Sequence, residues 1–403
     1  MRTRPKDFRR GWKVAVAALS LAGVIVVVIT VQHRPSPLLT ARSGTPSAAE
    51  VVYSVPQLSY SPIQQLVGDP AGAGAWFWDY TKTEDTVFHV SQTGSVQSWP
   101  VLTGSDYVGA SGSSGLAVAN DGTVWLGINS TLLRLDPSTS QVQTWTIPTA
   151  SDNAAAESFM PPNMVGMHPV TSIAVNPSDT AVAIAEENAN AVEIFDVTTG
   201  NYSSLALPSQ GDIAVALAYS GDGTLAVGLS NISAGGSANQ LLLVSNGSDS
   251  TATLPAAGSS WSTAPEGSNS FIVGSVTPSV VSETGQTTTL ATPGNLLGSP
   301  IGNSSAPLGI VNGNSVGIVS SGVEEFPIGA SSVAAAAAAA TTVQMPAVNC
   351  PSNVAGSAQQ SGTSSAGSTA GCAAPTPNML ATDAAGNIWT VIDGGSIAVA
   401  PAS

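Results

Sequence analysis

Charge is the scarcest property of this 403-residue chain: only 9% of its residues carry one, against roughly a quarter in ordinary soluble domains. Cations are scarcer still. Eight of the ten Lys and Arg lie at or before Arg42, so residues 43–403 hold only Lys82 and Arg134 against 24 acids, a net charge of −22. Such a surface repels a phosphate backbone and excludes nucleic acid as a partner. There are two cysteines and three histidines, and no paired-Cys spacing of the zinc type, which argues against a Cys-based zinc site. The lack of Glu and Lys also disfavours coiled coils and long solvated helices. No P-loop, no Ser-His-Asp set and no Gly-x-Ser-x-Gly elbow is readable.

What the chain does have is a strongly marked N-terminus. Six cations in the first thirteen residues precede residues 14–31, VAVAALSLAGVIVVVITV, an uncharged run of 18. That length spans a bilayer as a helix. The positive-inside rule keeps residues 1–13 cytoplasmic and exports everything after Gln32, with Trp12 at the interface. The run exceeds the apolar core of a cleaved signal peptide and is followed by His33, Arg34 and Pro35 rather than a small-residue cleavage site, so an uncleaved single-pass anchor in the cell membrane is expected. No Cys follows it directly, which excludes a lipid-modified anchor. Residues 32–50, rich in Pro, Ser and Ala, read as a stalk.

From residue 51 short apolar runs alternate with Ser and Thr and are punctuated by Gly, Asp-Gly and Pro, the pattern of antiparallel strands with tight turns. One unit recurs. Residues 122–148, 179–208 and 223–255 each run strand, loop, strand, turn, strand, Pro; an earlier copy ends at Pro100 and weaker ones cover 270–293 and 314–327. Short inner strands stand upstream, as in GLAVAN (115–120), SIAVNP (172–177) and ALAYSG (216–221). Four strands in about 40–50 residues make the blade of a β-propeller. Residues 379–403 supply three strands of a blade and 51–57 an isolated outer strand, so the two would join to close the ring. The expected fold is therefore all-β, a seven-bladed β-propeller over 51–403 behind a transmembrane helix. Its units lie near 62–104, 107–152, 168–210, 212–257, 259–295, 297–330, and 378–403 with 51–57. Closure removes both free sheet edges. A low-complexity insertion, 331–377, interrupts the last units. It holds Cys350 and Cys372, which in an exported domain are expected to form one disulfide.

The segments DGTVWLG (121–127), LLRLDPSTSQVQTWTIP (132–148) and AGNIWTV (385–391) resemble the repeat of streptogramin (virginiamycin B) lyase-like seven-bladed propellers. In those, a Gly-x-x-Trp strand, an Arg-x-Asp-Pro strand end and an outer strand closing on Pro recur. The resemblance implies a ring-opening elimination with a histidine acid/base and Mg²⁺ near the central channel. It does not extend to the chemistry, because those histidines lie in the later blades and this chain has none after His168.

Candidate site residues are accordingly few. His168 precedes an inner strand, where loops face the channel mouth, and is the first candidate for ligand contact. His89 falls mid-strand at the repeat position of Arg134, Ile194 and Leu243 and reads as structural. Trp76, Trp78 and Tyr80 share one side of a strand and form a possible platform for a sugar or peptide, against the alternative of core packing, which is the reading for Trp125 and Trp389. The acidic pairs Glu186-Glu187, Glu84-Asp85 and Glu324-Glu325 are solvated loop acids unless several converge from different blades, as a hard cation requires. Asp121, Asp136 and Asp222 read as turn residues. The expected function is a non-catalytic binding or scaffold module at the cell surface, bound to the membrane by its anchor and to a protein or glycan by one propeller face, without a cofactor. The alternative is a metal-assisted lyase or hydrolase at the channel, for which Mg²⁺ would be needed.

Overall fold

The computed structural model describes residues 50–401, leaving out 55–62, 64, 81–83, 104–113, 149–168, 188, 232–236, 246–247, 259–261, 266–269, 275–277, 292–307, 312–313, 320–321, 329, 344–376 and 393–395. The anchor at 14–31, residues 32–49 of the stalk, His168, Cys350 and Cys372 lie outside the described residues. Among the described residues no helix is long and apolar enough to cross a membrane.

The alternating segments fold as strands throughout. β1 (Glu50–Ser54) is followed by a first sheet, β2–β5 (Gln65–Gly68, Gly74–Tyr80, Glu84–Ser91, Val96–Thr103). The second is β6–β9 (Ser114–Val118, Val124–Ile128, Thr131–Asp136, Gln141–Thr146) and the third β10–β13 (Val170–Val175, Ala181–Glu186, Ala191–Asp196, Tyr202–Ala206). The fourth is β14–β17 (Asp212–Tyr219, Leu225–Asn231, Ser237–Ser245, Ser248–Gly258) and the fifth β18–β21 (Ser262–Pro265, Ser270–Gly274, Ser279–Ser282, Thr287–Thr289). The sixth contains β22–β24 (Leu308–Val311, Asn314–Val319, Gly322–Pro327), a helix α1 (Val333–Ala339) and β25 (Thr341–Val343). The last contains β26–β28 (Pro377–Thr382, Ile388–Ile392, Ser396–Ala400). Among the described residues these strands make seven four-stranded antiparallel sheets, each ordered as the chain runs except the last, whose order is β1-β28-β27-β26.

The joining of chain ends follows the reading from sequence: Glu50 stands opposite Val399 and Ser54 opposite Ser396. The strand begins at Glu50 instead of 51 and is described to Ser54. The insertion needs correction at its near end. Residues 341–343 are not inserted but form the outer strand of the sixth sheet, Val323 facing Val343, so that sheet extends past the expected limit at 330. The alanine run between them is helical because Ala has the highest helix propensity and Ser332 caps it, its Oγ accepting from Ala335 N at 3.1 Å.

Inner strands touch in a cycle: β2 meets β6, then β10, β14, β18, β22 and β26 follow, and β26 returns to β2. The returning contact is close. A Cβ on Gly68 would clash with Thr382 O, so any side chain there forces the first and last sheets apart, and Ala384 N donates to Asp69 O at 2.9 Å beside it. Because each sheet lies between two others, both faces of its middle strands are buried, as in β7 and β11, while the outer strands β9 and β13 are largely exposed. Trp76 and Trp78 pack toward the second sheet with Trp99, Leu116 and Leu126, while Phe77, between them in sequence, packs toward the last sheet with Trp389.

Antiparallel order also sorts the connections. Turns from first to second strand and from third to fourth share one end of the sheets, which we term the hairpin face. The turns from second to third strand, and every link from one sheet to the next, share the other, the connection face. The hairpin face is built from a repeated turn in which Gly122, Gly223 and Gly386 hold φ of +85°, +93° and +82°, a left-handed conformation that costs glycine nothing. Asp179 takes that position in the third sheet at φ +57°. Its carboxylate reaches across to the second sheet and accepts from Asn120 N at 3.0 Å and Asp121 N at 3.1 Å, charge-assisted bonds that offset the backbone strain.

Candidate functional site

Two features of the third sheet converge on the connection face. Strand pairing sets Val170 opposite Glu186 and Ile184 opposite Glu193, and period-2 alternation then puts Ile184, Glu186, Glu193, Phe195 and Tyr202 on one face. That face packs on the second sheet, against Trp125, Leu132 and Ile147. Glu186 is 1% exposed and Glu193 5%. Burial, with the neighbouring Glu193 carboxylate, pushes the Glu186 carboxyl up to about 8; burial alone raises Glu187 and is the main cause of the rise at Glu193. Burial and the charges of Glu193 and Glu186 push the Tyr202 phenol up to about 12. Glu186 Oε2 and Tyr202 OH are both buried without a hydrogen bond among the described residues.

Among the described residues no cation accompanies these carboxyls. Arg134 enters the same seam between sheets but at its hairpin end, its guanidinium 5.6 Å from the Trp125 ring centroid and 3.7 Å from Asp121 Oδ2. The carboxyls at the connection end therefore lower their energy by holding protons. Nearby, Asp212 at 3% exposure is fully bonded: Asn231 Nδ2 donates to Oδ1 at 2.6 Å and Ser209 N to Oδ2 at 3.0 Å. Asn190 Nδ2 ties the turn after β11 to Ser209 O and Asp212 O. The described edge of this face is thus acidic, and burial favours the protonated form of its carboxyls. A neutral Glu186 can donate a hydrogen bond or a proton to a ligand.

His168 lies outside the described residues; Glu187 N donates to the next residue's carbonyl, Pro169 O, at 3.0 Å, so the link carrying His168 enters the third sheet beside Glu186. Trp76 and Trp78 are 5% and 2% exposed; the platform reading of these two is corrected to core, since both rings pack against Leu116 and Leu126 of the second sheet. The Tyr80 side chain lies outside the described residues. His89 stands opposite Trp76 as Arg134 stands opposite Trp125; its Nε2 is 3.2 Å from Asp69 Oδ2 and its ring 4.4 Å from that of Trp76, a structural role. The other acidic pairs do not join the site: Asp85 and Glu325 are buried in the first and sixth sheets. Among the described residues no group of three His, Cys, Asp or Glu could hold a metal.

Glu193, Tyr202 and Asp212 are absent from any reading of motifs. A signal existed in the repeat. Pairing aligns Glu186 with Ile128 and Leu229, and Glu193 with Leu133 and Leu242, so two acids occupy positions that are apolar in both neighbouring sheets.

No family model matches the chain, and no curated protein does. Solved structures do. A streptogramin B lyase matches with TM-score 0.51 at 11% identity, over 89% of this chain and 98% of that one. U3-55K matches with TM-score 0.53 at 11% identity, over 89% and 100%, and a chain of the mitotic checkpoint complex with TM-score 0.53 at 14% identity, over 100% and 99%. The fold is a β-propeller. At these identities the likeness carries the propeller and none of the chemistry built on it.

Proposed function

We propose that this chain is a membrane-anchored, extracytoplasmic seven-bladed β-propeller whose connection face is a non-catalytic binding or scaffold surface for a protein or glycan partner. The observation that carries this reading is the sorting of the connections. Five-residue hairpins such as 119–123 and 220–224 close one face with backbone bonds, whereas the strand ends that flank the links 104–113, 149–168, 292–307 and 344–376 all lie on the other, and the 149–168 link leads to Pro169, which Glu187 N contacts. Binding residues concentrate on such links because a rigid scaffold holds their ends. The cyclic contact of inner strands supports a ring of seven blades, and the basic tail with its apolar run supports the anchor.

Location is tested by labelling intact cells with a membrane-impermeant reagent and sequencing the labelled protein. The domain should be labelled while residues 2–13 are retained, and a soluble form beginning near residue 40 would overturn the anchor. Binding is tested by cross-linked pull-down with the full chain against a variant whose 149–168 link is replaced by a Gly-Ser segment of equal length. Capture should fall at least tenfold with the unfolding midpoint unchanged. Equal capture would place binding elsewhere, and Mg²⁺-dependent opening of a cyclic ester that His168→Ala abolishes would replace this reading with the lyase.

A further inference from the structure

The turn after β11 is a junction of three pieces of chain. Glu187 N donates to Pro169 O at 3.0 Å and Ala189 N to Glu186 O at 3.3 Å. Asn190 Nδ2 donates to Ser209 O at 2.6 Å and Asp212 O at 2.9 Å, while Asn190 O accepts from Leu207 N at 3.2 Å. Residues around this turn therefore hold both the entry of the 149–168 link into the third sheet and the exit of the chain toward the fourth. The junction hangs from the end of β11, and the last side chain of β11 is Glu186.

That side chain is seated without a partner. Glu186 is 1% exposed and its Oε2 is buried with no hydrogen bond among the described residues, on a face that packs against Trp125, Leu132 and Ile147. Glu193 lies diagonally beside it, because Ile184, two positions before Glu186, stands opposite Glu193. Among the described residues the titratable groups around it are Glu187 next in the chain, Glu193 on β12 and Tyr202 on β13. Val170 is what β10 sets opposite it. The second sheet offers only Arg134, at the hairpin end, and the fourth offers Asp212, whose carboxylate already accepts from Asn231 and Ser209. No positive charge answers an ionised Glu186. A neutral carboxyl can stay in such a seam, whereas a charged one lowers its energy by turning out to water. The neighbouring sheets carry Ile128 and Leu229 at this position, so the third sheet alone has this property.

We propose that Glu186, pressed by Glu193, is a proton-operated latch on the connection face: neutral, it keeps the turn 186–190 closed on the seam, and on losing its proton it releases that turn together with the ties to Pro169, Ser209 and Asp212. Burial and the Glu193 carboxylate push the Glu186 carboxyl up to about 8, so the closed form is fully favoured below the ordinary 4.5 and loses its advantage as pH rises through about 8. That the latch regulates partner binding rests on the reading of this face as the binding surface; the latch itself does not.

The test is hydrogen exchange read by mass spectrometry on the full chain without a partner, corrected for intrinsic rates. It follows the peptide over residues 185–192, with β15 as the reference for global unfolding. Between about pH 6.5 and about 8.5, protection of the turn should fall at least roughly tenfold. The fall should be indifferent to about 1 M urea, the mark of a local opening. Glu186→Gln, which keeps the shape of the neutral acid, should leave protection level across the range, and Glu186→Ile should do the same. Level protection in the native chain, a fall that urea amplifies as it does in β15, or an equal fall in both variants overturns the latch. Partner capture that does not weaken over the same range as the turn opens overturns the regulatory role alone.

Discussion

The two seams that flank the second sheet are built from the same positions and filled differently. Toward the first sheet the second sheet presents Val124, Leu126, Ile128, Leu133 and Leu135, all buried and all apolar. The corresponding face of the third sheet presents Val182, Ile184, Glu186, Glu193 and Phe195 to the second. The fourth sheet returns to the apolar form with Leu225, Val227, Leu229 and Leu242. Two carboxyls in one seam of a repeating structure cost stability that an Ile and a Leu would have supplied. The other end of this seam is dense with rings: Trp125 lies 5.8 Å from Trp145 and 5.8 Å from Phe195, and Phe195 lies 4.9 Å from Tyr202. The first seam is also rich in rings, with Trp76, Trp78 and Trp99, so what sets the two apart is the acid itself, whose placement at the connection end matches the functional reading.

Moving the acid breaks the comparison most severely. Leu133→Glu, which copies the third sheet's residue into the first seam, should destabilise the fold by about 3–5 kcal/mol in chemical denaturation, the usual cost of a buried charge without a partner. A loss below about 1 kcal/mol would mean that any seam accepts an acid. The reverse change is smaller. Glu193→Leu should stabilise by about 1–2 kcal/mol at neutral pH, since it exchanges a desolvated carboxyl for area removed from water.

The third test is a slope. Glu186 titrates near 8 when folded against an ordinary value of 4.5, so the folded chain holds a proton that the unfolded chain has released. Its stabilising contribution is complete below 4.5 and disappears as pH rises through about 8. Between those limits stability should fall with rising pH by up to about 1.4 kcal/mol per unit. Glu186→Ile, matching Ile128, should flatten most of that fall, leaving the part due to Glu187 and Glu193; an unchanged slope would show that Glu186 is ionised in the folded state.

The repeat made the fold legible. Strand, turn and Pro recur at fixed intervals, and the strand at the beginning of the domain fits the gap at its end; both follow from alternation and counting, and the pairing of Glu50 with Val399 bears the second out. The limit at 330 failed because an alanine run conceals a three-residue strand too short to show alternation. Trp76 and Trp78 misled for a different reason: a strand with aromatics on one side looks like a platform only if that side is free, and burial of both faces is a property of the ring. Sites were legible only in part. Glu186 was noticed as one of a pair on a loop, but its partner Glu193 comes from the next strand. Local pattern has no access to such a meeting. What it could have offered was the repeat alignment, in which an acid stands where its counterparts are Ile and Leu.

The pairing of β1 with β28 has a kinetic meaning. Most strand pairs in this chain join neighbours in sequence and can form as local hairpins within microseconds. The closing pair joins residues near opposite ends of the domain, the most non-local contact in the ring, and contacts of that kind slow folding because loop-closure entropy must be lost before the contact forms. Blade-by-blade assembly therefore leaves one species waiting on the last step: a nearly complete ring whose β28 edge, SIAVA, is apolar and unpaired. Its lifetime, more than the stability of any blade, sets how long the chain is exposed to edge-to-edge aggregation while it folds.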